Sequence, residues 1–114
     1  MTDFSDELMR ERLTQTRPFV LVMLHKTALY DDSSAVRATV WEHGRRNFVL
    51  REQGDLAVVL PCVDGSEWAG FGLFDGTVEH VRGLMDTDPA VVAGIFTYEA
   101  HEVRGFPGDG LPTA

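Results

Sequence analysis

The segment around Asp88 combines a helix start with an ionisable side chain. Asp88 precedes Pro89, and residues 95–103 are rich in β-branched and aromatic side chains. An Asp before a Pro is typical of a helix N-terminus, because the carboxylate accepts hydrogen bonds from free backbone N–H groups and Pro has none to lose. We therefore predict a helix start at Asp88 and a buried strand over residues 95–103, with a carboxylate at a join where a small domain could hold chemistry.

A second candidate for chemistry is His43. Apolar residues such as Val36 and Val40 recur at helical spacing between residues 35 and 53, and His43 and Asn47 fall in the same half of the helical wheel. Histidine is the usual side chain for moving protons near neutral pH. A structural histidine, half-buried on a helix and bonded to a backbone carbonyl, would give the same pattern. The sequence predicts that both side chains face inward.

The other histidines are less informative. His25 ends an apolar run and is a candidate at a cleft mouth, while His80 and His101 are expected on a helix and in a strand. The sequence has no close-spaced pair such as His-x-His or His-x-x-x-His, so we predict no metal site. Gly70 and Gly72 lie within a strand with no helix start behind them, so no nucleotide cofactor is predicted, and we expect no cofactor at all.

Aromatic side chains suggest a second type of site. A pocket for a planar or phenolic substrate could be lined by Trp41, Trp68, Phe71, Phe96 and Tyr98. Asn47 would supply a hydrogen-bond donor there, as would suit a cofactor-free oxygenase or a cyclase. Ordinary core packing would use the same residues.

These candidates are positioned by a short series of elements. The expected helices cover residues 3–16, 35–53 and a stretch that starts at residue 77; the expected strands cover residues 19–25, 55–61, 67–74 and 95–103. Strand 19–25 is a continuous apolar run, which is expected where both faces of a sheet are covered. After the first helix the order is β-α-β-β-α-β, the ferredoxin-like arrangement of an α+β domain with an antiparallel sheet. Its bare sheet face predicts that two copies pack as a homodimer.

Length and charge limit the partners. The chain has 114 residues with 18 acidic and 10 basic side chains, and its net charge is −8. This charge repels phosphate backbones, so we expect no nucleic-acid partner. There is no long apolar run and the first residues do not resemble a signal peptide, so we expect no membrane association and a cytoplasmic location.

The chain also resembles a known family. His43, Gly54, the pair Asp88-Pro89, the pair Ala93-Gly94 that leads to Tyr98-Glu99, and the segment 105–109 together resemble the YCII-related proteins of the dimeric α/β-barrel superfamily. The resemblance covers about residues 18–109. It divides the chain into an N-terminal helical extension (1–17) and a YCII-like ferredoxin-like domain (18–114). Leu60-Pro61 departs from the Gly-Pro of many members.

The resemblance implies a function. In that family a His and an Asp form the proposed active site, and these correspond to His43 and Asp88. The implied protein is a lyase or isomerase that acts on a phenolic, aromatic or enol-bearing small molecule. Residue type and position, and not the family, supply its candidate substrate contacts, which are Asn47, Trp41, Trp68, Tyr98 and His25. One alternative is a cofactor-independent monooxygenase or cyclase for an aromatic polyketide-like substrate. Another is a small-ligand-binding or accessory protein without turnover.

Overall fold

The computed structural model describes residues 3–113 and combines helices with a single β-sheet. In chain order the elements are α1 (Asp6–Leu13), β1 (Arg17–Lys26), α2 (Ser34–Glu52), β2 (Leu56–Pro61), β3 (Trp68–Phe74), α3 (Val78–Asp86), α4 (Pro89–Val92) and β4 (Phe96–Gly105). The strands form a four-stranded sheet in the order β2-β3-β1-β4. All neighbouring strands are antiparallel, so the chain is an α+β protein.

The core lies between one face of this sheet and the helices. Val20, Val22 and Leu24 of β1 are buried and pack with Leu50 of α2 and Met85 of α3. The residues between them on β1 point to the opposite face, because side chains alternate along a strand. Leu21 and Met23 on that opposite face are only half-buried in the single chain, and its coverage by a second copy stays a prediction.

Helix ends follow the local sequence signals. Ser33, Thr77 and Asp88 are the N-caps of α2, α3 and α4, and each accepts a hydrogen bond from a backbone N–H in the first turn. Pro89 occupies the start of α4, as predicted. Gly54 follows α2 with a φ of 85°, a left-handed conformation that glycine adopts without a Cβ penalty.

The N-terminal helix differs from the others. It was predicted over residues 3–16 and is shorter, and none of its residues is buried. Phe4, Met9 and Leu13 are each about half exposed. The segment therefore stands apart from the core. Among the described residues, no helix has both the length and the apolar character needed to cross a membrane.

Candidate active site around His43

A buried hydrogen-bonded pair joins α2 to the start of α4. His43 Nδ1 lies 2.7 Å from Asp88 Oδ1. Asp88 is only 1% exposed and His43 only 8%. An ionised carboxylate can only accept a hydrogen bond, so the proton of this contact lies on Nδ1. The inward orientation predicted for His43 is correct, and its expected neighbour is within direct contact.

The second oxygen of Asp88 caps the helix that follows. Oδ2 accepts hydrogen bonds from the backbone N–H groups of Ala90 at 3.0 Å and Val91 at 3.3 Å. The two readings of Asp88, as a helix cap and as a partner of His43, are therefore compatible, because each uses a different oxygen. The backbone bonds also fix the carboxylate in one orientation.

Arg46 supplies a nearby positive charge that the sequence analysis missed. Its NH1 atom lies 3.9 Å from Asp88 Oδ1, and its NH2 atom donates to Thr87 Oγ1 at 2.9 Å. NH1 is buried and has no hydrogen-bond partner within residues 3–113. Its position one helical turn after His43 was the available signal. The charge of the buried carboxylate is thus balanced by a nearby guanidinium, while the imidazole ring donates a hydrogen bond to it.

Asn47 contacts the other imidazole nitrogen. Its Nδ2 atom lies 3.3 Å from His43 Nε2. An amide nitrogen is a donor, so Nε2 accepts this bond and carries its lone pair. Asp88 and Asn47 together select the neutral tautomer with a proton on Nδ1 and a basic Nε2. The edge of His43 also packs against Phe96, with ring centroids 5.3 Å apart.

Beside this pair is an apolar cavity of about 280 Å³. It lies between α2 and the sheet, and His43 and Asn47 form part of its wall together with Phe74, Phe96 and Met85. Asp88 is not among the lining residues, whereas Asn47 is, so a molecule in the cavity would meet Nε2 of His43 by replacing its contact with Asn47. A basic nitrogen in an apolar hollow can exchange a proton with a bound ligand.

Two glycines of β3 form the floor. Gly70 and Gly72 line the cavity, as expected if they leave space above the sheet. Close packing is a second reason for a glycine at position 70, because a Cβ there would lie 2.9 Å from the carbonyl oxygen of Leu60. At Gly72 the nearest atoms are side-chain carbons of Phe74 and Leu56. The close approach of β2 therefore requires a glycine at position 70. The open space in the cavity results from the missing side chain.

Four predicted substrate contacts lie away from this cavity. Trp41 is 70% exposed on the outer side of α2, where it lines an adjoining groove. Trp68 packs on His25 with ring centroids 3.8 Å apart, and His25 contacts Glu99. Tyr98 donates to Asp86 at 2.6 Å. The structure does not bring these side chains to His43. Trp41 lies on the solvent side of α2, Tyr98 is bonded to Asp86 at the end of α3, and Trp68 is stacked on His25. A role for them in binding stays a prediction.

The electrostatic environments of these outlying residues differ. Burial, and then the hydrogen bond to Asp86, raises the pKa of Tyr98. Hydrogen bonds from His101 and His25 lower the pKa of Glu99. Within residues 3–113, no group of three or more His, Cys, Asp or Glu side chains is arranged to hold a metal ion.

Comparison with known proteins adds no family assignment. The chain matches none of the protein-family models against which it was compared. A search of curated proteins likewise gives no significant match.

Proposed function

We propose that the protein is a small-molecule enzyme of lyase or isomerase type in which His43 moves a proton. The observation that supports this most directly is the 2.7 Å contact between two buried ionisable groups, one of which lines an apolar cavity. Asp88 holds the ring and stabilises its protonated form. Asp88 is therefore a positioning residue and His43 the catalytic one.

The proton-transfer step follows from the tautomer. The Asn47 amide first turns away from Nε2 and frees its lone pair. Nε2 then takes a proton from a phenol or from a carbon next to a carbonyl or enol, and His43 becomes an imidazolium beside Asp88. In an isomerase the same proton returns to a different atom of the substrate. In a lyase the electron pair of the broken C–H bond forms a new double bond, and the leaving group departs with the pair that bound it.

The surroundings favour such a step. Burial strengthens the interaction between imidazolium and carboxylate compared with the same pair in water. The carboxylate is already oriented by Ala90 and Val91, so little reorganisation accompanies charge formation. The apolar wall, with Phe96 and Phe74, suits an aromatic, phenolic or enol-bearing molecule.

We also propose that the chain is a YCII-related protein with a ferredoxin-like fold. The strand order β2-β3-β1-β4, with the helices on one face, supports the fold. The contact between His43 and Asp88 supports the family, because these are the two positions that the resemblance assigns to its active site.

A homodimer is part of this proposal. The sheet face away from the helices carries partly exposed apolar side chains, including Leu21 and Met23 of β1 and their partners Leu73 and Phe71 of β3. A second copy would cover this face. Sedimentation should give a dimer at micromolar concentration, and M23K with L73K should give a monomer. V63K, on a side chain 92% exposed elsewhere, is the control. A monomeric parent protein would contradict the proposal.

The catalytic proposal is tested by replacing His43. Phenols and enols are first screened for consumption by the protein, and the variants are then compared on a confirmed substrate. His43→Gln keeps hydrogen bonding but removes the proton-transfer group, so kcat/KM should fall about 100-fold or more. His80→Gln, which changes a half-exposed histidine on α3, should have no effect. Asp88→Asn retains a cap acceptor, so a similar loss there assigns the effect to its charge.

Two outcomes would replace this proposal. Full activity of His43→Gln together with oxygen uptake would favour the cofactor-independent monooxygenase or cyclase, with Asn47 as the residue to change next. Ligand binding with no consumption of any compound would favour a binding or accessory protein.

A further inference from the structure

A second hollow adjoins the His43 cavity. This groove, of about 590 Å³, runs along the outer flank of α2 and includes Tyr30, Arg37 and Trp41 in its wall. Three residues, Val40, Gly44 and Phe48, line both hollows. The inner cavity alone is near the lower limit of ligand pockets, which are typically ~300–1,000 Å³. A drug-sized ligand in the cavity would therefore extend into the groove.

Gly44 marks the boundary between the two. It lies in the interior of α2, where glycine costs about 1 kcal/mol of stability relative to alanine. A Cβ there would meet nothing within 4 Å, and its φ is not in the left-handed region, so neither crowding nor backbone conformation requires a glycine. Gly44 therefore leaves open space beside α2, between the cavity and the groove. A large side chain at this position would project into that space.

Ring contacts connect the groove to the catalytic histidine. Tyr30, in the groove wall, stacks on Phe96 with ring centroids 6.0 Å apart. Phe96, in the cavity wall, packs against His43. On the outer side, Trp41 and Phe48 are mostly exposed. Apolar and aromatic surface thus continues from His43 to the groove.

Charge gives the groove its chemical preference. Arg45 is paired with Glu42 at 3.1 Å, and the carboxylate of Asp31 accepts a hydrogen bond from the backbone of Ser33. Arg37 forms no ion pair with a carboxylate among residues 3–113. The groove therefore offers an unpaired guanidinium, which binds a carboxylate with good geometry.

We propose that the substrate is a planar aromatic acid that reaches from His43 past Gly44 into this groove, where Arg37 binds its carboxylate. The inference deepens the proposed function and rests on it for the role of His43. Arg37 and His43 are six positions apart on α2, which corresponds to about 9 Å along the helix axis. Two fused rings with one carboxylate span that length. Asp31 would repel a second negative charge, so a monoanion is preferred.

Calorimetric titration with two probes tests the role of Arg37. The probes are 6-hydroxy-2-naphthoate, whose hydroxyl and carboxylate lie at opposite ends of the fused rings, and its neutral relative 2-naphthol. Arg37→Gln should weaken binding of the acid about 10-fold and leave 2-naphthol unchanged. Arg51→Gln, a matched change on the same helix outside the groove, should affect neither. An unchanged affinity for the acid, or an equal loss for both probes, would overturn the assignment, as would absence of binding at millimolar concentration.

Substitution of Gly44 tests whether the ligand extends past this residue from the cavity into the groove. Gly44→Leu should weaken both probes about 10-fold or more, while Gly44→Ala binds like the parent and Gly83→Leu, at an exposed glycine of α3, is the control. Unaltered binding by a folded Gly44→Leu protein would refute the claim that the ligand extends past Gly44. If that variant does not fold, the Arg37 titrations decide whether the ligand occupies the groove.

These titrations are repeated with the His43→Gln protein. Binding does not need turnover, so the two proposals can fail separately. An Arg37-dependent affinity with no effect of His43→Gln on consumption would refute the acid–base function and keep the acid site. Loss of consumption in the His43→Gln protein, together with an affinity for the acid that does not depend on Arg37, would refute the acid site alone.

Discussion

The four histidines of this chain fall into two environments. Each contacts a carboxylate: His43 contacts Asp88, His80 contacts Asp55, and His25 and His101 both contact Glu99. The N–O distances run only from 2.7 to 3.2 Å. Proximity of a histidine to a carboxylate therefore does not identify a site in this molecule.

Burial distinguishes them. His43 and Asp88 are almost fully buried, whereas the carboxylates and rings of the other pairs are from about a quarter to more than half exposed. Exposed pairs are weakened by solvent and salt, and many contribute no measurable stability. A buried pair has fixed partners, and the loss of one leaves the other uncompensated. The comparison shows that the same two residue types form a buried pair with fixed partners between α2 and α4 and solvent-exposed contacts elsewhere.

The largest difference should appear when the carboxylate is removed. Asp88→Ala deletes the N-cap of α4 and leaves His43 Nδ1 unpaired, so the free energy of unfolding should fall by about 3 kcal/mol in urea titrations. Glu99→Ala, the matched change at an exposed pair, should leave the unfolding midpoint close to that of the parent. Equal effects would show that burial does not separate the two environments.

A smaller difference is expected between two adjacent arginines of α2. Arg46 lies beside buried Asp88, while Arg45 pairs with Glu42 in solvent. Arg46→Met should lower the free energy of unfolding by about 1 kcal/mol, because Asp88 loses a nearby positive charge and Thr87 a donor. Arg45→Met should change it little. If Arg45→Met proves the more harmful, Arg46 is not a counter-charge for Asp88.

The smallest effect concerns the acid stability of the exposed cluster. Hydrogen bonds from His101 and His25 lower the pKa of Glu99 in the folded state. The resulting stability is present above the unfolded-state pKa of about 4.3 and is lost as the pH falls through the lower folded-state pKa. Glu99→Gln should therefore flatten this part of the urea-midpoint profile between about pH 5 and pH 2. A profile identical to that of the parent would indicate that these contacts do not persist in solution.

Particular residues show why local features were predictable. The helix start at Asp88-Pro89 and the helix end at Gly54 depend on backbone hydrogen bonds and on φ within a few residues, so sequence was sufficient. The inward face of His43 and Asn47 follows from helical periodicity alone. The N-terminal helix was predicted too long at both ends, because fraying depends on contacts that α1 lacks.

The aromatic candidates show where this reasoning stops. Trp41 belongs to the same helix as His43, yet it lies on the solvent side, and Trp68 packs on His25 instead of lining the cavity. Residue type predicts that such side chains will be apolar contacts, but not which surface they cover. Arg46 was missed because its partner is brought near it only by the packing of α2 against α4.

The sequence by itself determined the order of the elements, their capping residues and the inward direction of His43, since these depend on periodicity and on contacts within one or two turns. Tertiary structure decided that Asp88, 45 residues further along the chain, meets His43 through one oxygen while the other caps α4. It also decided which of four histidine–carboxylate contacts is removed from water. Both depend on how α2 and α4 pack over the sheet, and long-range packing is not encoded in any local pattern.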